Sequence, residues 1–131
     1  MHPLAGTWTA NVAKSRRHPN HLFHSMTMRF EVTGTAVSLH YEGINAVGAA
    51  EANTHVMDAD GVERAFPAAP GVVAVCRLDA RALETIGKKD DAVVGRGRYE
   101  VSADGGTMTA TVAGVDGSGK PFEQVIVFDR E

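Results

Sequence analysis

The chain predicts an all-β fold, a single antiparallel meander of about ten strands curling into a small barrel. Three observations lead there. Apolar and polar residues alternate with period two along most of the 131 residues, and no stretch sustains the i, i+3, i+4, i+7 repeat of an amphipathic helix. Glycine- and aspartate-rich turns separate the alternating runs at short intervals, so consecutive strands can pair as hairpins. A closed barrel also removes the exposed edges that an open sheet carries. The length suits one core, so residues 1–131 are read as one domain.

The strands follow in order. Residues 6–12 make the first. In residues 26–32, Met26, Met28, Phe30 and Val32 share one face, while Thr27, Arg29 and Glu31 share the other, the pattern of a strand with one face buried and one wet. Gly34 breaks that run and residues 37–41 resume it, giving a hairpin. Residues 49–57 enter the turn Asp58-Ala59-Asp60-Gly61, residues 62–66 return, and Pro67 and Pro70 end the pair. Residues 72–78 and 82–86 are joined through Asp79-Ala80-Arg81. The polar turn 88–91 leads into residues 92–101, where Gly95-Arg96-Gly97 marks a bend or bulge. Turns at 102–106 and 116–121 then deliver strands 107–113 and 122–129. The Asp-Gly turns read as ordinary turn chemistry, because a calcium loop needs several more oxygen ligands.

Composition narrows the function. With 44% hydrophobic and 22% charged residues the chain is globular rather than disordered. Its 13 basic and 16 acidic residues give a net charge of -3, and only Lys14, Arg16 and Arg17 cluster, so no nucleic-acid partner is expected. Cys76, the one cysteine, sits in an apolar run and is read as a packed thiol. Arg77 points to the other face of its strand, away from any role in activating that thiol. No basic-then-apolar leader opens the chain and no run approaches the length of a membrane span, so no membrane partner and a cytoplasmic location are expected.

Gly6-Thr7-Trp8 resembles the opening G-x-W signature of the lipocalin and fatty-acid-binding (calycin) superfamily, in which a late arginine, here Arg130, packs over the tryptophan. More closely, the chain is similar to a family of small uncharacterised bacterial lipocalin-like proteins. The residues that carry this are Asn11-Val12-Ala13-Lys14-Ser15, Tyr99-Glu100-Val101-Ser102-Ala103-Asp104-Gly105 and Thr107-Met108-Thr109. The likeness is thin between residues 45 and 90. Residues 13–25 are too short and too polar for the helix-turn-helix lid of fatty-acid-binding proteins, so a lipocalin-like barrel without a helical lid is implied.

If Trp8 faces inward, parity carries Met26, Met28, Phe30, Val37, Leu39, Tyr41, Val93, Tyr99, Val101, Met108, Ala110 and Val112 inside with it. From that lining, Met28, Phe30, Leu39, Tyr41, His55, Tyr99 and Gln124 are the candidate ligand-binding residues. Tyr41, His55, Tyr99 and Gln124 supply the polar groups that orient a ligand. Each also reads as a structural residue whose polar tip meets the backbone or water. Arg96, Arg98 and Glu100 fall on the opposite face as an outer charge ladder, with His40 on the outer face of its own strand. His21 and His24 are candidate rim residues in a mouth loop. Their H-x-x-H-x-x-H spacing with His18 lacks cysteine or acidic partners and contains Pro19, so no metal site is expected.

No G-x-S-x-G, H-E-x-x-H or phosphate-loop motif is present. The reading that results is a binding or carrier protein for a small apolar or amphipathic ligand, with no cofactor. Three alternatives stand beside it. One is a barrel enzyme (isomerase, cyclase or hydrolase) acting on an apolar metabolite. Another is a haem-binding barrel with His21, His24 or His55 as axial ligand. The last is an interaction module without a ligand.

Overall fold

The computed structural model describes residues 2–16, 23–65, 71–115 and 119–131. Ten strands follow one another: β1 Gly6–Arg16, β2 Phe23–Thr33, β3 Ala36–Asn45, β4 Ala50–Asp58, β5 Arg64–Ala65, β6 Val72–Leu78, β7 Ala82–Lys89, β8 Ala92–Val101, β9 Thr107–Val115 and β10 Pro121–Arg130. All pair antiparallel in one sheet of order β4-β3-β2-β1-β10-β9-β8-β7-β6-β5. Apart from the β1–β10 pairing this is a plain meander, as the hairpin reading predicts. Only residues 17–22 separate β1 from β2, too few for a helix-turn-helix. Among the described residues no helix is long and apolar enough to cross a membrane.

Side-chain size divides the interior into two halves. Trp8, Phe30, Val37, Leu83, Val101, Met108 and Phe128 are all fully buried, and each lies at the same pole of its strand. Leu4 plugs that pole from below. Burying one such side chain is worth about 1.5–3 kcal/mol, so this pole anchors the fold. Toward the other pole the inward positions shrink. Gly87 faces Gly95 and Gly95 faces Gly114, so three strands meet there with no side chain between them.

The packed pole depends on one glycine. Gly6 has φ +129, and a Cβ built on it would lie 2.6 Å from an Arg130 guanidinium nitrogen. Gly6→Ala is therefore expected to cost about 2 kcal/mol or more, read as a lower urea midpoint at unchanged slope.

The expected barrel closure is corrected in one respect: the hydrogen-bonded sheet does not come full circle. Its ends, β4 and β5, are not paired with each other. Of the expected return strand 62–66, residues 62 and 63 stay outside β5 because the chain there is tied up locally. Asp60 accepts from the Val62 N–H at 3.0 Å and from both terminal nitrogens of Arg64 at 2.7 and 2.6 Å. The 58–61 turn acts as a strap at the packed pole: Ala59 N–H donates to Thr35 O and Gly61 N–H to Cys76 O. Asn45 N–H donates to Ala49 O, which makes the odd-numbered residues of β4 the ones bonded to β3. Ala52, Thr54 and Val56 thus turn their backbone groups into the gap. Asn53 Oδ1 covers the Thr54 N–H at 2.9 Å, one of the ways an exposed edge is blunted.

Several local expectations hold. A register shift at Gly87/Lys88 opposite Gly95/Val93 leaves Val94 as the extra residue of a bulge. Arg98 lies on the outer face beside Glu84, Glu100 and Asp79 at 3.1–3.4 Å, solvated pairs of small energetic weight. His40 is also outside, between Thr54 and Glu42. Val93, expected inside, is 39% exposed, because the bulge lifts the start of β8 above the interior.

Candidate functional site

The candidate site is the gap. A cavity of about 580 Å³ opens between β4 on one side and β5 and β6 on the other, with Leu39, Met57, Val62 and Ala74 among its apolar lining. Its size falls within the range of small-ligand pockets, about 300–1,000 Å³. Tyr99, His55, Thr85 and Cys76 bring polar atoms to the same space.

Tyr99 is placed by two neighbours. Its ring meets Phe30 edge-on, with centroids 5.7 Å apart and planes at 61°, so the buried phenylalanine fixes its base. Its other end leans along the strand over Gly97, where a Cβ would lie 3.6 Å from the Tyr99 ring and 2.7 Å from Thr85 Oγ1. Only glycine at 97 lets ring and threonine lie side by side. Burial pushes the Tyr99 hydroxyl above its ordinary pKa, with the Cys76 thiol adding to the shift, so it remains a neutral donor. Neither the Tyr99 hydroxyl, the His55 imidazole nor the Thr85 hydroxyl hydrogen-bonds to another described residue.

Cys76, expected as a packed core thiol, is half-buried and lines the cavity. It packs against the core on one side and faces the cavity on the other, because β6 borders the gap. Burial pushes the thiol up, only partly opposed by Arg64, the reverse of what a nucleophile needs.

The charged edge of the cavity is Arg64 with Asp58 and Asp60. Asp60 holds Arg64 in a two-pronged pair, while Asp58 Oδ2 lies 3.9 Å from the same guanidinium and Asp58 Oδ1 takes a hydrogen bond from Thr35 at 2.6 Å. Arg64 and the Val62 N–H keep the Asp60 carboxyl well below the usual range. Because folding lowers this pKa, the contribution is complete above the unfolded value of about 3.9 and fades as the pH falls below it. The difference in melting temperature between the wild type and Asp60→Asn should therefore narrow from about pH 5 to pH 2. A constant difference would show that the carboxylate charge is not what matters.

Of the sequence candidates, Leu39, His55 and Tyr99 meet at the cavity. Phe30 is buried beneath it, supporting Tyr99. Met28 is half-buried against the core, and Gln124 lies half-buried across from Val112. Tyr41 is half-buried toward the mouth, where its hydroxyl donates to Glu51 at 3.0 Å. Burial and Glu51 raise the Tyr41 pKa, and hydrogen bonds from Asn45 and then Tyr41 lower that of Glu51. His24 is corrected from loop to strand: it lies exposed in β2, beside a bulge between Phe23 and Ser25. His21 lies outside the described residues. Among the described residues no group of three or more His, Cys, Asp or Glu is placed to hold a metal.

Sequence reasoning missed Met57, Val62, Arg64, Ala74 and Thr85 as cavity residues. A signal existed for Thr85 alone, a polar residue within an inward row.

No protein-family model matches the sequence, and no curated protein matches it significantly. Solved structures do match. The fluorescent protein UnaG aligns with a TM-score of 0.65 at 17% identity, covering 98% of this chain and 97% of that one. Zebrafish ileal bile acid-binding protein, in complex with cholic acid, aligns with a TM-score of 0.61 at 8% identity, covering 98% and 99%. These likenesses extend over nearly the whole of each chain and show that the fold is shared.

Proposed function

We propose that this protein binds a small apolar or amphipathic molecule in the cleft between β4 and β6. The observation that carries the reading is the cavity itself: about 580 Å³ of largely apolar space, into which Tyr99 and His55 present polar atoms that no other described residue engages. Pockets that orient a ligand combine an apolar wall with a few such groups. The similarity in fold to a protein crystallised with cholic acid supports the reading, although fold alone assigns no ligand. The raised thiol pKa of Cys76 favours binding over thiol chemistry.

Native mass spectrometry of the protein purified from its own host tests this. A non-covalent small molecule, lost on denaturation, is expected above the 13.9 kDa chain. Repeated spectra at the bare mass, together with no uptake of the neutral apolar dye Nile red, would overturn the reading.

The single cysteine supplies a local reporter. Modification of Cys76 by an apolar maleimide is expected to slow about tenfold when the cleft is filled, since the thiol lines it. An unchanged rate with dye demonstrably bound would place the ligand elsewhere.

A further inference from the structure

The cleft carries a guanidinium, yet the geometry denies it to an anion. Arg64 faces Ala74 across the β5–β6 pair and lines the cavity. One of its terminal nitrogens donates to Asp60 Oδ1 at 2.7 Å and to Val62 O at 3.4 Å. The other donates to Asp60 Oδ2 at 2.6 Å, with Asp58 Oδ2 at 3.9 Å. Asp60 thus occupies the end-on two-pronged face of the guanidinium, and the charges of Asp58 and Asp60 repel an anion approaching its Nε side. Asp58 and Asp60 together outweigh the Arg64 guanidinium they surround by one charge, while Arg77, whose stem lies beside Gly61, is not part of the cavity lining. The nearby Lys88 adds no free cation, because it is paired with Glu63 at 2.7 Å. What the cleft does offer a polar end without charge is the pair of hydroxyls on Tyr99 and Thr85.

We infer that the cleft selects an uncharged amphipathic ligand, an apolar body ending in a hydroxyl or carbonyl, and discriminates against the corresponding carboxylate. This rests on the proposed binding function and specifies the ligand class of that site. Recognition of the polar end runs through hydrogen bonds from Tyr99 and Thr85, and specificity comes from repulsion of the wrong charge.

The test uses displacement of Nile red by a matched pair, decanol and decanoate, at about pH 8, where the acid is fully ionised. Decanol is expected to displace the dye at a concentration about tenfold lower than decanoate. Raising the salt should narrow that ratio, because screening weakens repulsion. Asp60→Asn, which releases Arg64, should improve decanoate relative to decanol about tenfold. Decanoate equal to or better than decanol on the wild type, or a decanoate advantage that salt abolishes, would overturn the inference. The salt series needs only the wild-type protein, so it decides the matter even where Asp60→Asn fails to fold. Failure of Nile red to bind at all would instead remove the binding function on which the inference rests.

Discussion

Trp8→Ala is expected to remove about 3–5 kcal/mol of folding stability, a large share of the roughly 5–15 kcal/mol that holds a domain of this kind together. The indole is fully buried at the centre of the packed pole. Its ring nitrogen donates to Leu4 O at 2.9 Å, and the Arg130 guanidinium lies 4.0 Å above the ring centroid. Arg130 is in turn tied to three backbone carbonyls, Gly105 at 2.7 Å, Ala5 at 2.9 Å and Pro3 at 2.6 Å. The tryptophan therefore joins the N-terminal plug, the β8–β9 turn and the end of β10. Removing it opens a cavity, strips Leu4 O of its buried donor and leaves Arg130 without a face to cover. Urea titration reads the loss directly. Arg130→Lys should cost clearly less, because it keeps the charge while giving up the planar fork that reaches three carbonyls. A loss below about 1 kcal/mol for Trp8→Ala would mean that the pole does not fold as one unit.

That pole was legible in the sequence for a physical reason. Period-two alternation fixes which residues share a face, and a barrel with one filled interior leaves parity no second solution. Trp8, Phe30, Val37, Leu39, Val101 and Met108 accordingly fall inside as expected, and the G-x-W glycine proves to be the residue that lets Arg130 reach over the ring.

The gap was not legible, because it arises from contacts that alternation does not encode. The run from 62 to 66 has strand-like composition, but the Asp60–Arg64 pair holds the preceding residues in a local turn. β5 begins only at Arg64, β4 has no second neighbour among the described residues, and Val56 is 77% exposed. The parts of the inward rows of β3, β4, β6 and β8 away from the packed pole then border an opening. The same cause leaves Cys76 facing the cavity as well as the core and brings His55 and Tyr99 together. Tyr41 differs for another reason. Its partner Glu51 lies on the neighbouring strand, and single-strand parity shows which face a side chain takes but not which group across the ladder will engage it.

Ala74→Trp is expected to abolish ligand uptake, weakening Nile red or decanol binding by about a hundredfold while leaving the fold intact. Ala74 lies on the cavity side of β6, between Arg64 on β5 and Gly87 on β7. Gly87 contributes no side chain, and a Cβ there would meet nothing nearer than Val72 at 3.9 Å. An indole at 74 thus has room to lie along the wall and into the cleft, where it takes the place of the ligand's apolar body. Overpacking a closed core costs about 1–3 kcal/mol, but this wall is open, so the urea midpoint should shift by less. Ala74→Leu provides a milder obstruction with the same sign should the larger ring prove too disruptive. Val115→Trp, at a position already exposed near the end of β9, adds the same ring away from the cleft and should leave binding unchanged. Undiminished binding by a folded Ala74→Trp protein would show that the ligand does not sit between β4 and β6. Loss of binding confined to the position 74 variants would locate it there, because the two tryptophan variants differ only in which surface the ring occupies.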